Sequence, residues 1–194
     1  MWFWLSLIAL LCWSGSDLFS KIGCQGEDDH LAHLKMVIAV GTVMGLHAAF
    51  EIFVGGTEIS WSIIWTYLPV SLLYIGSMTL GYLGLRYIEL SVSSPICNSS
   101  GALVAVMTLL FVGGEDYSPL ALGAIVLVCA GAIGLGVVDA TEDPELRAAR
   151  QADGNRKYSK SFLALALPVA YCLLDAAGTF ADNRVLETLD EGSA

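Results

Sequence analysis

The sequence predicts an all-α fold, a polytopic helix bundle set in a membrane, and three observations carry the prediction. The 194 residues are 56% hydrophobic and only 14% charged, against about 25% charge in a soluble domain. Apolar windows recur six times along the chain, each of about 20 residues and able to cross a hydrocarbon core about 30 Å thick. A shift of 158 residues lays the sixth window over the first, with Trp13 on Tyr171, Asp17 on Asp175, Leu5 on Leu163 and Ile8 on Ala166. An aromatic followed four residues later by an aspartate is an uncommon pattern inside two apolar spans. It is the expected trace of a duplicated unit, and an odd number of spans per unit inverts the second copy. The predicted architecture is one five-helix repeat plus the first helix of an inverted second repeat.

Each element has its own signal. The first span covers residues 2–23. It lacks a basic leader and a small-x-small cleavage site, so it reads as a retained span and not a signal peptide. The second covers 34–54, and a short amphipathic stretch at 59–65 carries Trp61 and Trp65, residues suited to the membrane interface. The third covers 67–90. The fourth is expected to start near Pro95, with Ser94 as N-cap, and to run to 112. Ser118-Pro119 repeats that start signal for the fifth span, 119–138, and the sixth covers 162–185. The links at 91–94 and 113–118 are short and force antiparallel neighbours. The one long link, 139–161, is charged and aperiodic. Residues 1–138 thus form the first repeat, 139–161 the polar link, and 162–194 the start of the second repeat.

The net charge of −10 excludes a nucleic-acid surface. Most acids fall between spans, as Glu27-Asp28-Asp29, Glu115-Asp116, Glu142-Asp143-Pro144-Glu145 and Asp190-Glu191. They read as solvated loops or, alternatively, as a cation-binding surface. The five cysteines make no CxxC pair, so neither a disulfide framework nor a zinc site is expected. There is no HExxH, GxSxG, P-loop or dinucleotide fingerprint, and the chain is expected to be no enzyme and to need no cofactor or metal.

Polar residues inside apolar spans are the candidates for function. An aspartate near mid-span costs about 2.5–3.5 kcal/mol on insertion scales. Asp17 lies about one and a half turns from the end of its span, with Lys21 at i+4. It reads either as half of an intrahelical ion pair that snorkels to the interface or as a cavity residue that holds a polar substrate or a proton. Asp175 favours the second reading, because its i+4 neighbour is Thr179 and not a base. Trp13 and Tyr171 stand one turn before the two aspartates, placed to stack on an organic substrate or to pack between helices. Tyr74, Ser77 and Asn98 lie deep in apolar runs and should point inward, as substrate contacts or as helix glue. His47 and Glu51, one turn apart, could relay protons or sit at the interface. Gly76, Gly81 and Gly84 would let the third span approach a neighbour. Gly123, Ala130, Gly131 and Gly134 form a small-residue stripe for packing within the chain or across a homodimer.

These residues carry a family resemblance. The run Cys12-Trp13-Ser14-Gly15-Ser16-Asp17-Leu18-Phe19-Ser20-Lys21 resembles the first span of EamA-type members of the drug/metabolite transporter superfamily. Tyr82 to Glu89 with Ser93-Ser94-Pro95 resembles their third-to-fourth span junction. Gly113-Gly114-Glu115-Asp116 sits where they have Leu-Gly-Glu-Arg, and Gly123-Ala124-Ile125 with Ala130-Gly131 resembles their fifth span. The resemblance implies ten spans in two inverted repeats, a midplane cavity and export or import of small metabolites such as amino acids. This chain departs from it by carrying six spans, by Asn98-Ser99-Ser100 where a proline is usual, and by Asp116 where a base is usual. The reading that follows is a transporter cut short after its sixth span, with a small-molecule substrate, lipid as its surroundings and the bacterial or archaeal cell membrane as its location. A non-transporting membrane assembly or regulatory subunit, or a non-functional fragment of a transporter, is the alternative. Basic residues concentrate after spans one, three and five, which favours an external N-terminus, whereas the family resemblance implies an internal one.

Overall fold

A computed structural model describes residues 2–24, 29–113, 118–143, 145 and 162–189. Among them every regular element is helical. In chain order they are α1 (Trp2–Gly23), α2 (Ala32–Phe50), α3 (Trp61–Gly84), α4 (Leu90–Cys97), α5 (Ser100–Phe111), α6 (Pro119–Thr141) and α7 (Phe162–Leu186). A π-helical turn, Glu51–Gly55, extends α2. Six segments are long and apolar enough to cross a membrane: Phe3–Gly23, Ala32–Gly55, Trp61–Gly84, Leu90–Phe111, Pro119–Val138 and Leu165–Leu186. The acidic runs at 27–28, 115–116 and 190–191 and most of the 139–161 link lie outside the described residues.

Two boundaries differ from the expectation. The stretch at 59–65 is no separate surface helix, because Ser60 accepts a 3.3 Å bond from the Ile63 N–H and caps α3 there. α3 therefore starts at Trp61 and ends at Gly84, about six residues earlier at both ends than the apolar pattern gives. The fourth span begins at Leu90, behind an extended Glu89, so Pro95 lies within α4 and not at its first position. The other proline signal holds: Ser118 accepts from Ala121 N–H at 3.2 Å and Pro119 opens α6. Ser118→Ala is expected to destabilise the chain by about 1 kcal/mol in a detergent melt.

The fourth span is broken. Asn98 and Ser99 have ψ of −2° and −3°, far from the helical value of about −42°. Asn98 N still reaches Ser94 O, but the next bonds tighten to a three-residue spacing, Ser99 N to Ile96 O and Ala102 N to Ser99 O. The cause is local. The side chains of Asn98 and Ser99 bond back to the carbonyls of Ser94 and Ile96.

α3 and α7 form the central antiparallel pair. α5 and α4 pack on α7, α6 packs on α4 and α5, α2 lies on α3, and α1 touches α2 and α4. The pairing depends on small residues. The ring of Tyr171 lies over Gly81, Leu167 and Pro168 lie against Gly84, and Tyr74 and Leu73 lie against Gly178. The glycines at 81 and 84 thus have the packing role expected of them. A small apolar core of Ile88, Val92 and Ile96 sits beside it, with Leu135 and Leu165. The outer faces of α1, α2 and α6 are apolar and exposed. Among the described residues nothing lies within 4 Å of a Cβ built on Gly123, Gly131 or Gly134, so none of them covers the α6 stripe at these positions.

At one end of the bundle Lys35 Nζ meets Asp29 Oδ2 at 2.5 Å, and Arg86 donates to the Asp29 carbonyl at 2.8 Å. The Lys35 ammonium, helped by the Leu31 N–H, holds the Asp29 carboxyl below its usual range. Folding thus gains from this contact above about pH 4, and the gain fades as pH falls through the lowered value. The pair is open to solvent, so its effect on stability is small.

Candidate polar sites inside the bundle

Asp17 faces α4. Its Oδ2 accepts from the hydroxyl of Ser94 and, at 3.2 Å, from the amide of Asn98, which also bonds Ser94 Oγ at 3.0 Å. The carboxylate therefore grips the last turn before the break in the fourth span. The Asp175 carboxyl on α7 lies near Ser100, the first residue after the break. Ser99, between them, is buried and lies 3.3 Å from Cys172 Sγ. Cys97 and Tyr171 lie within electrostatic reach of both carboxylates. Of the residues expected from sequence, Asp17, Asn98, Tyr171 and Asp175 are thus drawn around one place, the interruption of the fourth span.

The ion pair weighed for Asp17 and Lys21 is not among the contacts of the described residues. Lys21 is 5% exposed and donates to the carbonyls of Leu85 and, at 2.6 Å, Ile88. It closes the end of α3, where carbonyls have no helical partner.

The remaining expected residues are placed elsewhere. Trp13 is 62% exposed. His47 sits on the outer face of α2, its side chain 76% exposed, with Nε2 3.8 Å from Glu51 Oε1. Ser77 is fully buried and donates to the Tyr74 carbonyl on its own helix at 2.8 Å.

Tyr74 belongs to a second cluster that sequence reasoning missed. Tyr67 donates to Asp182 Oδ1 at 2.6 Å, while the Tyr74 hydroxyl lies 3.2 Å from Thr179 Oγ1 and 3.4 Å from Asp182 Oδ2. The signal was present in spacing. Tyr67 and Tyr74 are seven residues apart, as are Asp175 and Asp182, and seven residues return to the same helix face. Asp182 escaped notice because Asp182-Asn183-Arg184 reads as the polar end of a span. Among the described residues no group of three His, Cys, Asp or Glu could hold a metal ion. No protein-family model, curated protein or solved structure matches the chain.

Proposed function

We propose that the chain is a secondary transporter that moves a small polar metabolite, an amino acid or drug-like organic compound, by alternating access. The supporting observation is the meeting of Asp17, Ser94 and Asn98 at the broken fourth span, with Asp175 of α7 near Ser100 just beyond the break. Carboxylates and amides inside a span are expensive, and they collect where they serve a substrate or ion. Interrupted spans are a recurrent way to expose backbone groups to a substrate at mid-membrane. In this reading residues 1–138 form the first repeat of an EamA-type carrier, 139–161 the link and 162–194 the start of the inverted repeat. Asp17 and Asp175 hold the polar group or the coupling proton, and Tyr171 walls the site. The membrane is the cell membrane of a bacterium or archaeon.

The test is uptake by the purified chain in liposomes, using a panel of labelled amino acids. Asp17→Asn and Asp175→Asn are each expected to lower the initial rate about tenfold, the loss of about 1.4 kcal/mol of binding in the turnover step, with helical content unchanged. Wild-type rates in both variants would remove the two carboxylates from the mechanism.

One observation favours the second reading, a membrane assembly subunit. The glycines of the α6 stripe have open space above them inside an exposed apolar face, and such stripes serve close helix contacts. A chain that stays monomeric in mild detergent, with Gly131→Leu behaving as wild type, would count against it.

A further inference from the structure

Asp182 stands two turns along α7 from Asp175, toward the end of the helix at Leu186, and among the described residues it shares no hydrogen bond with Asp17, Ser94 or Asn98. Tyr67 and Tyr74 bring hydroxyls to one carboxylate and Thr179 meets the Tyr74 hydroxyl, so five oxygens gather there: the two of Asp182 and one from each hydroxyl. No described lysine, arginine or histidine forms an ion pair with Asp182. The nearest base in sequence, Arg184, is turned away, its Nη1 2.8 Å from Glu187 and its guanidinium 5.7 Å from the centre of the Phe180 ring.

We propose that Asp182, Tyr67 and Tyr74 form a second binding site that takes the primary ammonium group of a small organic cation. The chemistry of the set selects that ligand. A carboxylate has about four lone-pair sites and each hydroxyl oxygen two. The tyrosine donors occupy only part of this capacity, and the rest accepts the three N–H donors of an ammonium. A divalent metal is poorly served, because the set holds a single carboxylate. Access follows from position. Asp182 lies four residues before the end of its span at Leu186 and next to exposed Asn183, within one turn of the interface.

The experiment is calorimetric titration of the full chain in detergent with propylammonium and, in parallel, with 1-propanol, its neutral counterpart. Propylammonium is expected to bind at least about tenfold more tightly than the alcohol, a preference that Asp182→Asn abolishes. Tyr67→Phe and Tyr74→Phe should each weaken the cation by about three- to tenfold. Equal binding of cation and alcohol, or a preference that survives Asp182→Asn, overturns the proposal. Should Asp182→Asn fail to fold, photolabelling of the wild-type chain with a diazirine-bearing alkylammonium decides. Adducts on α3 and α7 near Tyr67 and Asp182 support the site, and adducts confined to other helices overturn it. The cluster is separate from Asp17 and Ser94, so ammonium binding and amino-acid uptake can fail independently.

Discussion

Gly81→Val is expected to lower the stability of the chain by about 3 kcal/mol, the upper end for forcing volume into a packed contact. A Cβ at position 81 would stand 2.7 Å from Cδ2 and 3.0 Å from Cε2 of Tyr171, closer than carbon atoms approach without repulsion. α7 cannot simply draw back, since Leu167 and Pro168 of the same helix are held against Gly84 one turn away. Either Tyr171 leaves its rotamer or α3 and α7 separate, and both loosen the central pair. The measurement is thermal unfolding in detergent followed by circular dichroism. Adding Tyr171→Ala to Gly81→Val should return part of the loss, because the two residues compete for one space and their effects are not additive. A single variant that melts like wild type would show that the contact is not a close one.

Lys21→Met is expected to destabilise the chain by about 2–4 kcal/mol. The ammonium is buried, and its bonds reach the carbonyls of Leu85 and Ile88. The backbone N–H groups of that turn are directed to Gly81, Leu83, Gly84 and Glu89, which leaves those two carbonyls to the lysine. Methionine fills much of the volume and removes every donor, so each carbonyl loses a charge-assisted bond and keeps its desolvation penalty. Lys21→Arg should not restore the loss in full, since a planar guanidinium does not occupy the place of a compact ammonium. Equal melting of Lys21→Met and wild type in detergent would remove the lysine from its capping role.

The six spans were legible because each apolar run is long and its composition alone decides the matter. The local starts were legible where a cap and a proline coincide, as at Ser118-Pro119, and misleading where they do not. Ser94-Pro95 has the same letters, but Glu89 begins the helix five residues earlier. Hydropathy could not find that boundary, because Leu90 and Val92 are apolar on either reading. Asp17 and Asn98 were found as polar groups out of place, and the fold joins them. The role of Lys21 was hidden because its partners are backbone carbonyls 64 and 67 residues away, and a carbonyl leaves no mark in a sequence. Asp182 was hidden by its neighbours Asn183 and Arg184, and only the bond to Tyr67 from a distant helix separates it from an ordinary span end.

The principal partner of α3 is the last described helix. During synthesis, roughly 80 residues separate the end of α3 from the start of α7, which at about 5–20 residues per second is a delay of several seconds. Throughout it, Tyr67 and Tyr74 sit in a nascent bundle that lacks Thr179 and Asp182. The first five spans must therefore wait in the bilayer, or beside the insertion machinery, with these hydroxyls provisionally solvated. A ribosome stalled before residue 162 should leave an assembly intermediate that is prone to degradation.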